Sequence, residues 1–138
     1  MSDKTVHKLP HRRATVRQAV KIAGQRVYVD VGLRPDGMAG ELFLIIERTG
    51  SERRWLFDES ARLASKLLQY GCPIDELAEG WLGTRGSPNG VVQGDARIKM
   101  CSSVLDYVGR HLLIYFCERH DLAHVPATLI IQPEPLVL

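Results

Sequence analysis

The hydrophobic period of this chain changes at about residue 51, and that change limits the folds open to it. Upstream, Val27, Val29 and Val31 alternate with Tyr28 and Asp30. A period of two keeps one set of side chains on one face of an extended strand. Val20 and Ile22 alternate in the same way, and Ala23-Gly24-Gln25 offers a turn between the two runs, so this stretch reads as a hairpin. Arg34-Pro35-Asp36-Gly37 is a second turn, in which Pro presets φ, Asp caps locally and Gly takes positive φ. The run Glu41-Leu42-Phe43-Leu44-Ile45-Ile46-Glu47 is apolar on both faces. That suits a central strand covered on both sides, or on one side with a partner chain on the other. The first half therefore predicts a three-stranded antiparallel meander.

Downstream the spacing is helical. Ser51 reads as an N-cap, with Glu52 suited to the positive helix end. Leu56, Leu63, Ala64, Leu67 and Leu68 form one stripe, ended by Gly71. Pro73 opens a second, short helix, with Asp75 and Glu76 at its start and Ile74, Leu77, Ala78, Trp81 and Leu82 on its apolar side. Gly83 stops it. Residues 83–95, GTRGSPNGVVQGD, are too rich in Gly, Pro and Asn for a helix or a central strand and read as a long loop. Residues 96–100 read as a short extended piece. Ser102 or Ser103 then caps a third helix running to about Arg119, with Ser103 and Asp106 in capping-box register. That helix is apolar nearly all round, which places it centrally or at an interface. The expectation is an α+β fold: the meander, three helices packed on one face, and a short extended C-terminal tail. Residues 1–14 read as a basic arm, 15–125 as the domain and 126–138 as the tail, where Leu129-Ile130-Ile131 is β-prone.

At 138 residues the chain suits one domain, and 45% hydrophobic with 25% charged residues is ordinary for a soluble protein. A net charge of +2 advertises no strong field, but residues 4–26 carry Lys4, Lys8, Arg12, Arg13, Arg17, Lys21 and Arg26 with no acid. Lys8, Arg12, Arg13 and Arg17 could steer an anionic partner, although a solvated arm is the ordinary reading. Three cysteines without a CxxC pair argue for a reducing compartment. With no apolar leader and no run long enough to span a bilayer, the expectation is a cytoplasmic protein away from membranes.

Three constellations invite chemistry. Cys117, His120 and His124 have C-x2-H-x3-H spacing, with Cys72 or Cys101 as a fourth zinc ligand. Against it, Cys117 lies in a greasy helix, where a buried thiol is the commoner role, and no second ligand pair is present. Cys101 precedes a helix N-terminus, where thiols become reactive, but His111 lies too far along the helix to be its base. Arg85, Arg97 and Lys99 lead to the free N–H groups at Ser102 and Ser103, a candidate anion or nucleotide site. The glycine pattern there matches neither a Walker loop nor a dinucleotide fingerprint, so a loop that merely packs is the alternative. No G-x-S-x-G elbow is present. The pairs Asp58-Glu59 and Asp75-Glu76 sit where solvated helix faces put them.

A series of short motifs adds to this. In order they are Leu9-Pro10-x-Arg12-Arg13, Gly24-x-x-Val27-Tyr28, Asp36-Gly37-x-x-Gly40-Glu41-x-Phe43, and Leu68-Gln69-Tyr70-Gly71-x-Pro73. Then come Gly83-Thr84-Arg85, Ile98-Lys99, Ser102-Ser103-x-Leu105-Asp106-Tyr107-Val108 and Asp121-Leu122-Ala123-His124-Val125. In this order and spacing they resemble the TSCPD domain found at the C-terminal end of adenosylcobalamin-dependent (class II) ribonucleotide reductases, over about residues 9–125. Where that family has Thr-Ser-Cys-Pro-Asp, this chain has Ser102-Ser103-Val104-Leu105-Asp106, so Val104 replaces the family cysteine. The resemblance implies a link to deoxyribonucleotide synthesis. The reductase barrel, its radical cysteines, its cobalamin site and its C-terminal cysteine pair are not expected in a chain of this length. What remains is an accessory module without a cofactor, binding a reductase, a nucleotide or nucleic acid, or a second copy of itself, or serving as one piece of a split enzyme.

Overall fold

The structure is a computed structural model describing residues 6–47 and 50–129. Its sheet has five antiparallel strands in the order β3-β2-β1-β4-β5. The hairpin lies where the alternation places it: β1 (Thr15–Ile22) pairs with β2 (Gln25–Leu33) through a turn at Ala23 and Gly24, both at positive φ. β3 (Ala39–Ile46) pairs with β2 to complete the meander. Two strands were not expected. β4 (Gly90–Gln93) lies within the glycine-rich stretch and pairs with both β1 and β5 (Met100–Cys101). The composition of residues 83–95 marks the bends correctly, since Gly90 and Gly94 have φ of +118° and +101°. It hides the few extended residues between them, whose pairing is decided by the edge of β1.

β3 is an edge strand, not a central one. Leu42, Leu44 and Ile46 face the core, while Phe43 and Ile45 are 49% and 43% exposed on the outer face. That outer face is knitted by cross-strand ion pairs. Arg17 donates to both oxygens of Asp30 at 2.7 and 2.8 Å and lies 4.7 Å from the centre of the Tyr28 ring. Arg13 grips Glu41, and Arg26 lies 3.3 Å from Glu47. Arg13, Arg17 and Arg26 of the basic cluster are thus engaged by the sheet. Lys8 and Arg12 remain exposed, while the His7 N–H ties the arm to the Gln69 carbonyl at 2.7 Å.

α1 (Ser51–Gln69) has Gly50, not Ser51, at the capping position. Its apolar positions divide between two faces. Ala61, Ala64 and Leu68 are buried against the sheet, whereas Leu56, Leu63 and Leu67 are about half exposed. The buried face is small because the helix approaches β3 closely: Ser65 Oγ accepts from the Leu42 N–H at 2.8 Å, and leucines there would hold the two elements apart. α2 (Ile74–Glu79) stops before Trp81 and Leu82, which lie in the following turn. α3 (Val104–Cys117) is central, with Tyr107, Val108, Leu112, Leu113 and Ile114 at 0–1% exposure. Sheet and helices share one core cluster. At the C-terminal end Ala127–Leu129 form a 3-10 turn rather than a strand, and Ile130 to Leu138 lie outside the described residues. Among the described residues no helix is long and apolar enough to cross a membrane.

α2 crosses α3 at Gly109. A Cβ added there would lie 2.6 Å from the Ala78 carbonyl oxygen and 3.2 Å from Trp81 Cβ. Alanine favours a helix over glycine by about 1 kcal/mol, so the packing clash and the propensity have opposite signs. Gly109→Ala is expected to destabilise the fold by about 1–3 kcal/mol in urea titration. A gain in stability would show that α2 is free to move aside.

Candidate functional site

Within the segment from Trp81 to Asp106, the loop at Gly83 and Thr84 is bonded to the start of α3. Ser103 is the N-cap, and its Oγ accepts from the Asp106 N–H at 2.9 Å. Asp106 reaches back, accepting from the Ser102 N–H at 3.0 Å and the Gly83 N–H at 2.8 Å. The box therefore closes one residue earlier than the usual N-cap N–H. Ser102 Oγ donates to the Thr84 carbonyl, and Thr84 Oγ1 donates to the Trp81 carbonyl, both at 2.8 Å. With that proton committed, Ser103 is the donor in its 2.8 Å contact with Thr84. The polar members of Ser102-Ser103-Val104-Leu105-Asp106 thus fasten the loop to the helix. Val104 lies in the core at 1% exposure.

A second hub was not foreseen. Asp95 is 0% exposed, yet both its carboxylate oxygens are filled. Oδ1 accepts from the N–H groups of Arg97 (2.8 Å) and Ile98 (3.1 Å) and from the Tyr115 hydroxyl (3.1 Å). Oδ2 accepts from the Tyr107 hydroxyl at 2.7 Å, and His111 Nδ1 stands 3.5 Å from it. Burial, the largest influence, pushes the Asp95 carboxyl up; His111, the Arg97 N–H and Tyr107 outweigh it and hold the group below the ordinary value. Burial, reinforced by Asp95, raises the Tyr107 and Tyr115 phenols. The available signal was Tyr107, His111 and Tyr115 at i, i+4 and i+8, a polar-tipped row on one face of an otherwise apolar helix.

The anticipated residues are distributed over these two hubs. Arg97 is 6% exposed; its Nε donates to the Val125 carbonyl at 2.7 Å and its Nη2 lies 3.2 Å from His120 Nδ1. Lys99 Nζ donates to the Asp95 carbonyl at 3.0 Å. Ser102 and Ser103 belong to the cap, and Arg85 is exposed on the loop. An anion at the start of α3 would meet the Asp106 carboxylate already there. Cys117, His120 and His124 are not gathered round one point. His120 Nδ1 faces Arg97, His124 Nδ1 accepts from the Lys99 N–H at 2.9 Å, and the described residues hold no cluster of three metal-ligating side chains. Burial lowers the His124 pKa and raises that of the Cys117 thiol. Cys101 is buried, and burial pushes its thiol up to about 11.

Two outcomes follow from this geometry. Asp95→Asn places an amide where four donors converge and is expected to cost about 2–4 kcal/mol at pH 7. Because the folded carboxyl sits below its unfolded value of about 3.9, its stabilisation is present above that pH and fades as pH falls through the folded pKa. The urea midpoints of wild type and variant should therefore converge below about pH 4; a constant gap would mean that the charge is irrelevant. Separately, at pH 8 iodoacetamide should label Cys72 well before Cys101, read by peptide mass spectrometry. Faster labelling of Cys101 would overturn its assignment as a packed thiol.

Comparison with known proteins places this architecture. The TSCPD domain matches residues 4–116. The chain is 41% identical over 118 residues to a vitamin B12-dependent ribonucleotide reductase of Agrobacterium fabrum, covering 86% of this chain and 9% of that protein. It is 40% identical over 121 residues to the protein of the same name from Bradyrhizobium diazoefficiens, covering 88% and 10%. With the Rhodopirellula baltica protein the identity is 33% over 114 residues, covering 83% and 11%. The chain thus spans about a tenth of the length of these relatives. No solved structure matches. With most of its length matched, this chain belongs to the TSCPD domain family.

Proposed function

We propose that this protein is a non-catalytic accessory module that serves a ribonucleotide reductase by binding it. The observation that carries this reading is that the polar residues gathered around the start of α3 and around Asp95 are engaged with one another and with nearby backbone. Ser102, Ser103 and Asp106 bond to the loop at Thr84 and Gly83, and Asp95, Arg97 and Tyr107 bond to one another or to nearby backbone. Groups spent on holding a fold are poor general acids, bases or nucleophiles, and a thiol raised to about 11 is a poor nucleophile at neutral pH. A domain of this kind contributes shape and surface to a larger enzyme.

On this reading the cobalamin named in the relatives belongs to the nine-tenths of their length outside the match. One groove, of about 660 Å3, is lined by Arg53, Leu56, Phe57, Ser60, Ser87 and Leu105 with Gly50 and Glu52, and this lining offers no imidazole or thiol to a metal. Those residues do not fit the cofactor. A nucleotide or nucleic acid is the alternative ligand of the protein, favoured by the exposed Lys8, Arg12 and Arg85.

The test adds the purified chain to a vitamin B12-dependent reductase truncated before its own TSCPD domain. A stoichiometric complex in analytical ultracentrifugation, with a change in turnover, is expected. The absence of a complex, together with saturable calorimetric binding of dNTPs or single-stranded DNA that Arg85→Ala weakens, would replace the proposal with the alternative.

A further inference from the structure

The exposed apolar residues of α1 are not scattered. Leu56, Ser60, Leu63, Leu67 and Tyr70 follow one another at spacings of four, three, four and three. That is the a/d pattern of a helix seam with period 3.5. The four large members are 50–59% exposed. Ser60, the one polar member, donates its hydroxyl to the Leu56 carbonyl at 2.8 Å, so a partner can cover it without stranding a polar group. The row lies on a different face from Ala61, Ala64 and Leu68, which the sheet buries.

We infer that this seam pairs antiparallel with the α1 of a second copy. The charges beside it specify both the partner and the direction. On the flank away from the core the seam is bordered by Glu59 and Lys66. When two copies lie antiparallel, Leu56 meets the partner's Leu67 and Ser60 meets the partner's Leu63, and the symmetry repeats both contacts. Glu59 then faces the partner's Lys66, and Lys66 faces the partner's Glu59. The surface is self-complementary, as an isologous two-fold interface must be. A parallel arrangement would set Glu59 against the flank that carries Ala64 and lose both pairs. Glu59 also pairs with Arg62 at 2.7 Å within its own chain, an exposed i,i+3 contact that leaves carboxylate lone pairs for a second donor.

The inference concerns the isolated chain and stands or falls without any reductase. Sedimentation equilibrium of the full chain should show a concentration-dependent dimer. Leu63→Glu should raise the dissociation constant by about a hundredfold, since each dimer loses two leucine contacts and gains two carboxylates in an apolar seam. Its far-UV circular dichroism should be unchanged, because the position is exposed in the monomer. Glu59→Lys and Lys66→Glu should each weaken the dimer by about tenfold through like-charge pairs. Mixing those two variants should restore wild-type affinity, because each supplies the charge that the other lacks. A strict monomer, a dimer indifferent to Leu63→Glu, or a mixture no tighter than its separate components would overturn the inference.

Discussion

The second half of the molecule is organised by one buried carboxylate. An unpaired charge at the position of Asp95 would cost several kcal/mol, so its oxygens must be filled in the folded state. The donors come from two directions: backbone N–H groups of its own loop, and tyrosine hydroxyls of α3. A shift of the loop against the helix breaks the tyrosine contacts. Arg97, held by the loop, carries the constraint outward to Val125 and His120, while the His124 N–H returns to the Arg97 carbonyl. Residues 95–125 are therefore linked by one hydrogen-bond network, joined to the sheet through the strands on either side of the loop.

The parts that could be read in the sequence are those whose cause is local. The β1–β2 hairpin follows from alternation and a two-residue turn, and the start of α3 follows from Ser103 and Asp106 at capping spacing. The parts that could not be read are those decided at a distance. Gly90-Val91-Val92-Gln93 is too short and too glycine-flanked to announce a strand, and becomes one only between β1 and β5. The ligands of Asp95 on α3 lie 12 and 20 residues away in sequence. The triplet spacing of Tyr107, His111 and Tyr115 was visible, but it identifies no partner. At the helix end where the sequence anticipates an anion, the chain places a carboxylate of its own, Asp106.

The apolar stripe of α1 shows a different reason for misreading. Five apolar residues at helical spacing look like one buried face, but two requirements are superimposed on them. Close approach to β3 selects small residues, Ala61, Ala64 and Ser65, for the inner surface. The large leucines are left on the flank, about half exposed. Periodicity records that a helix is amphipathic; it does not record which of two adjacent apolar faces the fold uses.

Magnitudes then limit what that flank can do. Burying a whole leucine side chain yields roughly 1.5–3 kcal/mol, and half of it is already realised in the monomer. Six leucines across a two-fold seam thus have about 4–9 kcal/mol left to contribute. Association costs about 4–15 kcal/mol in lost freedom, so the apolar contact alone barely offsets it. On the inferred pairing, the seam makes a reversible dimer rather than an obligate one, in which modest flank charges decide both orientation and strength.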